Sequence, residues 1–234
     1  TVTGTKSLLV SSVLDFSGDL GEFDVEVADA GLLQLPGSIA DGAPISGAGT
    51  VEIALPSDPQ NDPDLSNLTP EAGVFLTLGA SRTLSPELIN SFPDSISVNV
   101  NVPAGQTLSV DAGLLDRIAV SGGGDVVMLD ATGVADLNAA INALRNTGTV
   151  TLNIDADADL TPFKLGTAAL NLSDGVEVVA NAAQVDGSTV TGTAGGQSDV
   201  LNIREAGSAE PDDGNFDGSI TATILRPSIP LDES

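Results

Sequence analysis

Asp213, Asn215 and Asp217 occupy alternate positions of the run Asp213-Gly214-Asn215-Phe216-Asp217-Gly218. Oxygen ligands at the first, third and fifth positions of a loop wrap a hard cation, and glycine at the sixth permits the sharp turn. The twelfth position, where a bidentate glutamate would complete the shell, is Ile224. The run therefore reads as a shortened calcium loop closed from elsewhere, with Glu205, Glu210 and Asp212 nearby, against the plainer reading of a solvated Asp/Gly turn.

Two further acidic clusters invite the same chemistry. In Asp155-Ala156-Asp157-Ala158-Asp159 the carboxylates alternate. If the preceding strand runs on, they share one face at roughly 7 Å spacing, and a bound cation would relieve their repulsion. If the strand stops, they form an acidic loop. Asp58, Asn61, Asp62 and Asp64 lie in a loop stiffened by Pro56, Pro59 and Pro63, and a rigid loop loses less entropy on binding metal. Calcium is the expected ligand of all three clusters.

Catalytic chemistry is disfavoured by subtraction. The 234 residues include no His and no Cys, which removes imidazole bases, thiol nucleophiles and thiolate metal sites. There is no Trp or Tyr, so Phe alone can stack on sugars. Paired carboxylates are plentiful, which leaves a glycosidase or a calcium-assisted polysaccharide lyase as the enzymatic alternative. Arg117, close in sequence to Asp111, Asp116 and Asp125, is the one basic residue suited to the lyase role. The expected class is nevertheless non-enzymatic.

The elements that must carry these residues are short and alternate with period 2. Phe23–Val27, Thr50–Leu55, Ser95–Val102, Thr107–Val110, Thr149–Ile154 and Ala169–Leu172 each alternate apolar with polar residues and end at Gly, Asp, Pro or Asn. That is the strand signal. One helix is expected at about 133–146, where Val134, Leu137, Ile141 and Leu144 follow 3- and 4-residue spacing, with Thr132 as cap and Gly148 past the end. Ser85-Pro86-Glu87 opens a second, very short one. The expected fold is all-β, with β-solenoid-like or β-sandwich strands and one short inserted helix. Residues 1–101 read as a β-rich region with Pro-rich loops. Residues 102–234 read as a more regular, solenoid-like region whose strands would stack in parallel.

The run Val190 to Ile203, with Thr191-Gly192-Thr193-Ala194-Gly195-Gly196 ahead of Asp199, resembles the start of a hemolysin-type (RTX) calcium repeat. Ser121-Gly122-Gly123-Gly124-Asp125 is a degenerate echo. Two extra residues precede Asp199 and the nonapeptide is not repeated in tandem. The resemblance implies the setting of RTX-like, S-layer and giant adhesin proteins of the bacterial surface, with calcium as cofactor and Asp125 and Asp199 as further ligands.

Charge points the same way. Seven Lys and Arg face 33 Asp and Glu, for a net charge of −26. The cations are scattered singly, which disfavours nucleic acid and anionic lipid as partners. No apolar run reaches membrane-spanning length, so no membrane insertion is expected. Acidic, cysteine-free and strand-rich, the chain is expected to be an extracellular structural subunit that self-associates, with calcium-dependent carbohydrate binding as the alternative. Thr1–Val10 and Ser219–Leu225 are the candidate exchanged strands.

Overall fold

A computed structural model describes residues 6–21, 23–146, 148–185, 188–192, 199–204, 215–217 and 220–225. In chain order the strands are β1 (Lys6–Val10), β2 (Val13–Asp15), β3 (Phe23–Val27), β4 (Leu32–Pro36), β5 (Ile45–Gly47), β6 (Thr50–Leu55), β7 (Leu68–Pro70) and β8 (Val74–Leu78). They continue as β9 (Arg82–Thr83), β10 (Val98–Val102), β11 (Thr107–Asp111), β12 (Ile118–Gly122), β13 (Asp125–Leu129), β14 (Leu144–Asn146) and β15 (Val150–Ile154). The last are β16 (Ala158–Asp159), β17 (Ala169–Leu172), β18 (Glu177–Asn181), β19 (Thr189–Gly192), β20 (Asp199–Arg204), β21 (Asn215–Asp217) and β22 (Ile220–Leu225). Among the described residues four short helices intervene: α1 (Gly37–Ala40), α2 (Pro86–Ser91), α3 (Leu137–Ala143) and α4 (Ala182–Val185). Two 3-10 turns, Pro59–Asn61 and Ala112–Asp116, accompany them.

The strands form sheets of four, seven, seven and four members. The chain divides into two compact units, one of residues 1–126 with 142–148, the other of residues 127–141 with 149–234. In the first unit one sheet has the order β1-β3-β5-β7 and another the order β14-β12-β10-β8-β6-β4-β2. In the second unit β15, β17 and β19 are neighbours, and β16, β18, β20 and β22 form another series. Each strand thus pairs with the next but one. Val51 sits beside Val74, Val74 beside Val98 and Val98 beside Ile118, so the chain returns to the same sheet after roughly twenty residues, the length a parallel crossover needs.

This corrects the all-β expectation. The chain is neither an all-β sandwich nor an all-β solenoid-like stack with one inserted helix. It has mixed α/β composition, with helices recurring between strands along both units. Among the described residues the strand pairs are parallel from β1 with β3 onward, so parallel pairing is not confined to residues after 102. Parallel strands cannot be joined by tight hairpins, and some of the crossovers coil into short helices.

The helix expected over 133–146 is shorter. α3 covers seven residues, and Leu144–Asn146 is a strand beside Val120–Gly122. Asp136, not Thr132, caps it, its Oδ1 accepting from Ala139 N at 3.0 Å. Leu137 is buried while Val134 is only half-buried. Gly148 is no helix terminus. A Cβ there would lie 1.9 Å from the Gly124 carbonyl oxygen, so its role is close backbone stacking. Ser85 does cap α2, accepting from Leu88 N at 3.1 Å.

Aliphatic columns make the core. In the first unit Leu35, Ile53, Leu76, Val100 and Val120 succeed one another in register, each 3% exposed or less. In the second unit Leu152, Leu170 and Val190 do the same, all fully buried. Because each column needs one flat-packing branched side chain per strand, Val, Ile and Leu suffice and large rings are dispensable.

Candidate functional site

The acidic clusters are held mainly by local hydrogen bonds. Strand β15 stops at Ile154 and the chain bends through Asp155–Asp157 before β16, so the three carboxylates are not one strand face. Asp155 Oδ1 accepts from Ser173 Oγ at 2.6 Å. Asp157 Oδ1 accepts from Glu177 N at 2.8 Å. Asp159 Oδ1 accepts from Thr161 N at 3.0 Å and Thr161 Oγ1 at 2.6 Å. Each carboxylate therefore fastens a corner to its own loop or to the next turn of chain, the usual way an Asp satisfies orphan backbone donors.

The Pro-rich loop is organised likewise. Asp58 caps the 3-10 turn through Gln60 N at 3.0 Å, and Asn61 lies exposed within that turn. Asp62 points inward and meets Arg82, whose side chain is 1% exposed, at 2.5 Å. Arg82 also donates to the Pro56 carbonyl at 3.1 Å. Asp64 Oδ1 accepts from Ser66 N at 3.0 Å. The Ser66 backbone bond, followed by a bond from the Ser66 side chain, holds the Asp64 carboxyl below the ordinary 3.8 despite a small opposing effect of burial. A guanidinium already neutralises Asp62, and the other acids in the loop engage backbone donors. That is a locking arrangement, poorly fitted to a divalent cation, which needs several carboxylates converging on one point.

Of the remaining predicted ligands, Asp125 opens β13 and is exposed, its backbone N–H donating to Gln106 at 2.9 Å. Asp199 opens β20. Asn215 and Asp217 lie in β21, in parallel register with Thr189 and Thr191, which is extended backbone where the motif predicts a wrapped loop. Asp213 and residues 193–198 lie outside the described residues, as do the side chains of Asp199, Asn215 and Asp217. Among the described residues no group of three acidic side chains is arranged to hold a metal.

Arg117 does not join Asp111, Asp116 or Asp125. Its guanidinium donates to Asn90 Oδ1 at 2.8 Å and the Phe92 carbonyl at 3.0 Å, and pairs with fully exposed Asp94 at 3.0 Å. It ties down the end of α2.

What the structure does present is an open edge. Among the described residues β1 and β2 are terminal strands of their two sheets, each paired on one side, with Lys6–Val10 against Phe23–Val27 and Val13–Asp15 against Leu32–Gln34. Leu9 is 62% exposed and Val13 66%, and with Phe75 they are the exposed large apolar residues of the described chain. From Lys6 to Leu14 there is one cation and no acid. Lys6 itself lies over the Phe23 ring, 5.6 Å from its centre. Several other terminal strands are blunted, although β22, six residues without proline or charge, is not. β7 is three residues ending in Pro70, β9 and β16 have two residues each, and β14 has three with Arg145 exposed at its centre. Short length, proline and charge are the devices that keep sheet edges from pairing; β1 and β2 lack proline, and β1 has full length.

Sequence reading proposed the first ten residues as an exchanged strand. It missed Leu9 and Val13 as outward residues, because which alternate set faces out is fixed only by the register with β3 and β4.

No family model matches the chain, and neither a curated protein nor a solved structure shows significant similarity to it. Among the described residues no helix is long and apolar enough to cross a membrane.

Proposed function

We propose that this chain is a non-enzymatic structural module of an extracellular or cell-surface assembly, and that copies join through the open edge formed by β1 and β2. The supporting observation is the coincidence of three properties at that edge: unpaired strand groups, exposed Leu9 and Val13, and no acid between Lys6 and Leu14. A chain of net charge −26 repels its own copies almost everywhere else. Backbone pairing across such an edge supplies affinity, and the outward side chains supply register. Calcium belongs to this reading through the charge and through Asp213, Asn215 and Asp217, where the sequence pattern favours it, rather than through Asp155–Asp159 or Asp58–Asp64. Multi-angle light scattering over a hundredfold range of protein concentration tests the proposal. Mass rising with concentration supports it, and a constant monomer mass refutes it.

A further inference from the structure

The outward face of the seven-stranded sheet in the first unit carries a row of side chains that starts on β2 and runs inward from the edge across successive strands. Asp15, Gln34, Glu52, Phe75 and Asn99 follow one another in register on successive strands, about 4.8 Å apart. Gln34 Nε2 donates to Glu52 Oε2 at 2.7 Å, and Thr77 Oγ1 donates to Glu52 Oε1 at 3.2 Å. The carboxylate is thereby fixed, and each of its oxygens keeps a lone pair for an incoming hydroxyl. Beside it, the short side chains of Pro36 and Ala54 leave a groove of about 250 Å³ that Asp15, Gln34, Glu52 and Thr77 line. Phe75, next in the row to Glu52, is 38% exposed.

We propose that this groove binds a neutral glycan chain laid along the row, with the Phe75 ring packing against the C–H face of one sugar. Fixed carboxylate and amide oxygens accept from vicinal hydroxyls, and an aromatic face covers the apolar side of a pyranose. Anionic polymers are repelled by Asp15 and Glu52 on a chain already at −26. A second copy of the chain brings the same negative charge to the same face and is disfavoured equally. The ligand is therefore uncharged and rich in hydroxyls. Binding needs no metal, since no step of this recognition passes through one.

The test is affinity electrophoresis and calorimetry of the full chain with cellohexaose, xylohexaose, mannohexaose and laminarihexaose, with oligogalacturonate as the acidic comparator. At least one neutral oligosaccharide binds, unchanged by EGTA, and oligogalacturonate does not. Phe75→Ala weakens binding at least about tenfold. Phe75→Leu, which keeps apolar bulk but lacks the ring, weakens it similarly while circular dichroism and melting stay at wild type. Absence of neutral binding, binding of oligogalacturonate alone, or equal affinity in the Phe75→Leu variant overturns the proposal. Sedimentation of the same samples reports assembly separately, so loss of glycan binding and loss of self-association are distinguishable.

Discussion

Arg82 and Asp62, on a strand and in the Pro-rich loop twenty residues before it, form a 2.5 Å ion pair with side chains 1% and 12% exposed. The loop's fold depends on it, because Arg82 also holds the Pro56 carbonyl. The pair is incompletely satisfied: Arg82 Nε and Asp62 Oδ1 are buried with no protein partner. Removing one member strands the other as an uncompensated buried charge, at a cost of about 3–5 kcal/mol. Arg82→Ala should therefore shift the urea midpoint strongly. The double change Arg82→Met with Asp62→Leu should recover most of that loss. A single-variant loss below about 1 kcal/mol would show that the pair is effectively hydrated.

Gly49 packs against backbone. A Cβ there would lie 2.2 Å from the Ala28 carbonyl oxygen and 2.7 Å from that of Gly31. Neither neighbour can yield without moving a strand, so Gly49→Ala should destabilise by at least about 2 kcal/mol. Gly105 has φ +82 with nothing within 4 Å of its would-be Cβ. Gly105→Ala should meet backbone strain alone, about 1 kcal/mol. Paired chemical denaturation curves check the order; equal losses would contradict the packing described.

Asp64 offers a pH signature. Its carboxyl is held below 3.8 chiefly by the Ser66 backbone N–H. A depressed folded-state value means the contribution is complete above the unfolded value and disappears as pH falls through the folded one. Carboxyl-carbon NMR titration should find Asp64 below the ordinary range, and Ser66→Ala should raise it part of the way by removing the hydroxyl. A midpoint at or above 3.8 in the wild type would show that the turn is not formed in solution.

Calcium separates two acidic segments. Millimolar calcium should raise the melting temperature over EGTA at equal ionic strength, by an amount equivalent to about 2.7 kcal/mol at a hundredfold excess over the dissociation constant. Asp217→Ala should diminish that gain. Asp155→Ala should not, because the Asp155 carboxylate is committed to Ser173. Superimposable scans, or equal sensitivity of both variants, would remove the calcium reading from Asp213–Asp217.

Strand positions were legible because one face of each strand is buried, which writes period 2 into the residues. Phe23–Val27, Thr50–Leu55 and Ala169–Leu172 are strands over the same bounds in the structure. Thr149–Ile154 differs by one residue, and Ser95–Val102 is strand only from Val98. Two things were not legible. Alternation says nothing about which strand lies beside which, so pairing of each strand with the next but one, and the row from Asp15 to Asn99, emerge only from register. Helical spacing through Leu144 also misled, because Leu144 is equally periodic as the next member of the Val100 and Val120 column. The acidic clusters were visible as clusters. Their hydrogen bonds to Ser173, Glu177 and Thr161 were not, since two of these partners lie about one turn of chain later.

The most direct test of assembly through the open edge is sedimentation velocity of the wild type against the double variant Leu9→Asp, Val13→Asp. Both side chains are more than half exposed, so the monomer fold and its melting temperature should be retained. Two acids added to the acid-free stretch from Lys6 to Leu14 should repel the neighbouring copy. The account predicts concentration-dependent larger species for the wild type and a monomer boundary for the variant across the same range. Identical distributions for the two proteins would contradict it.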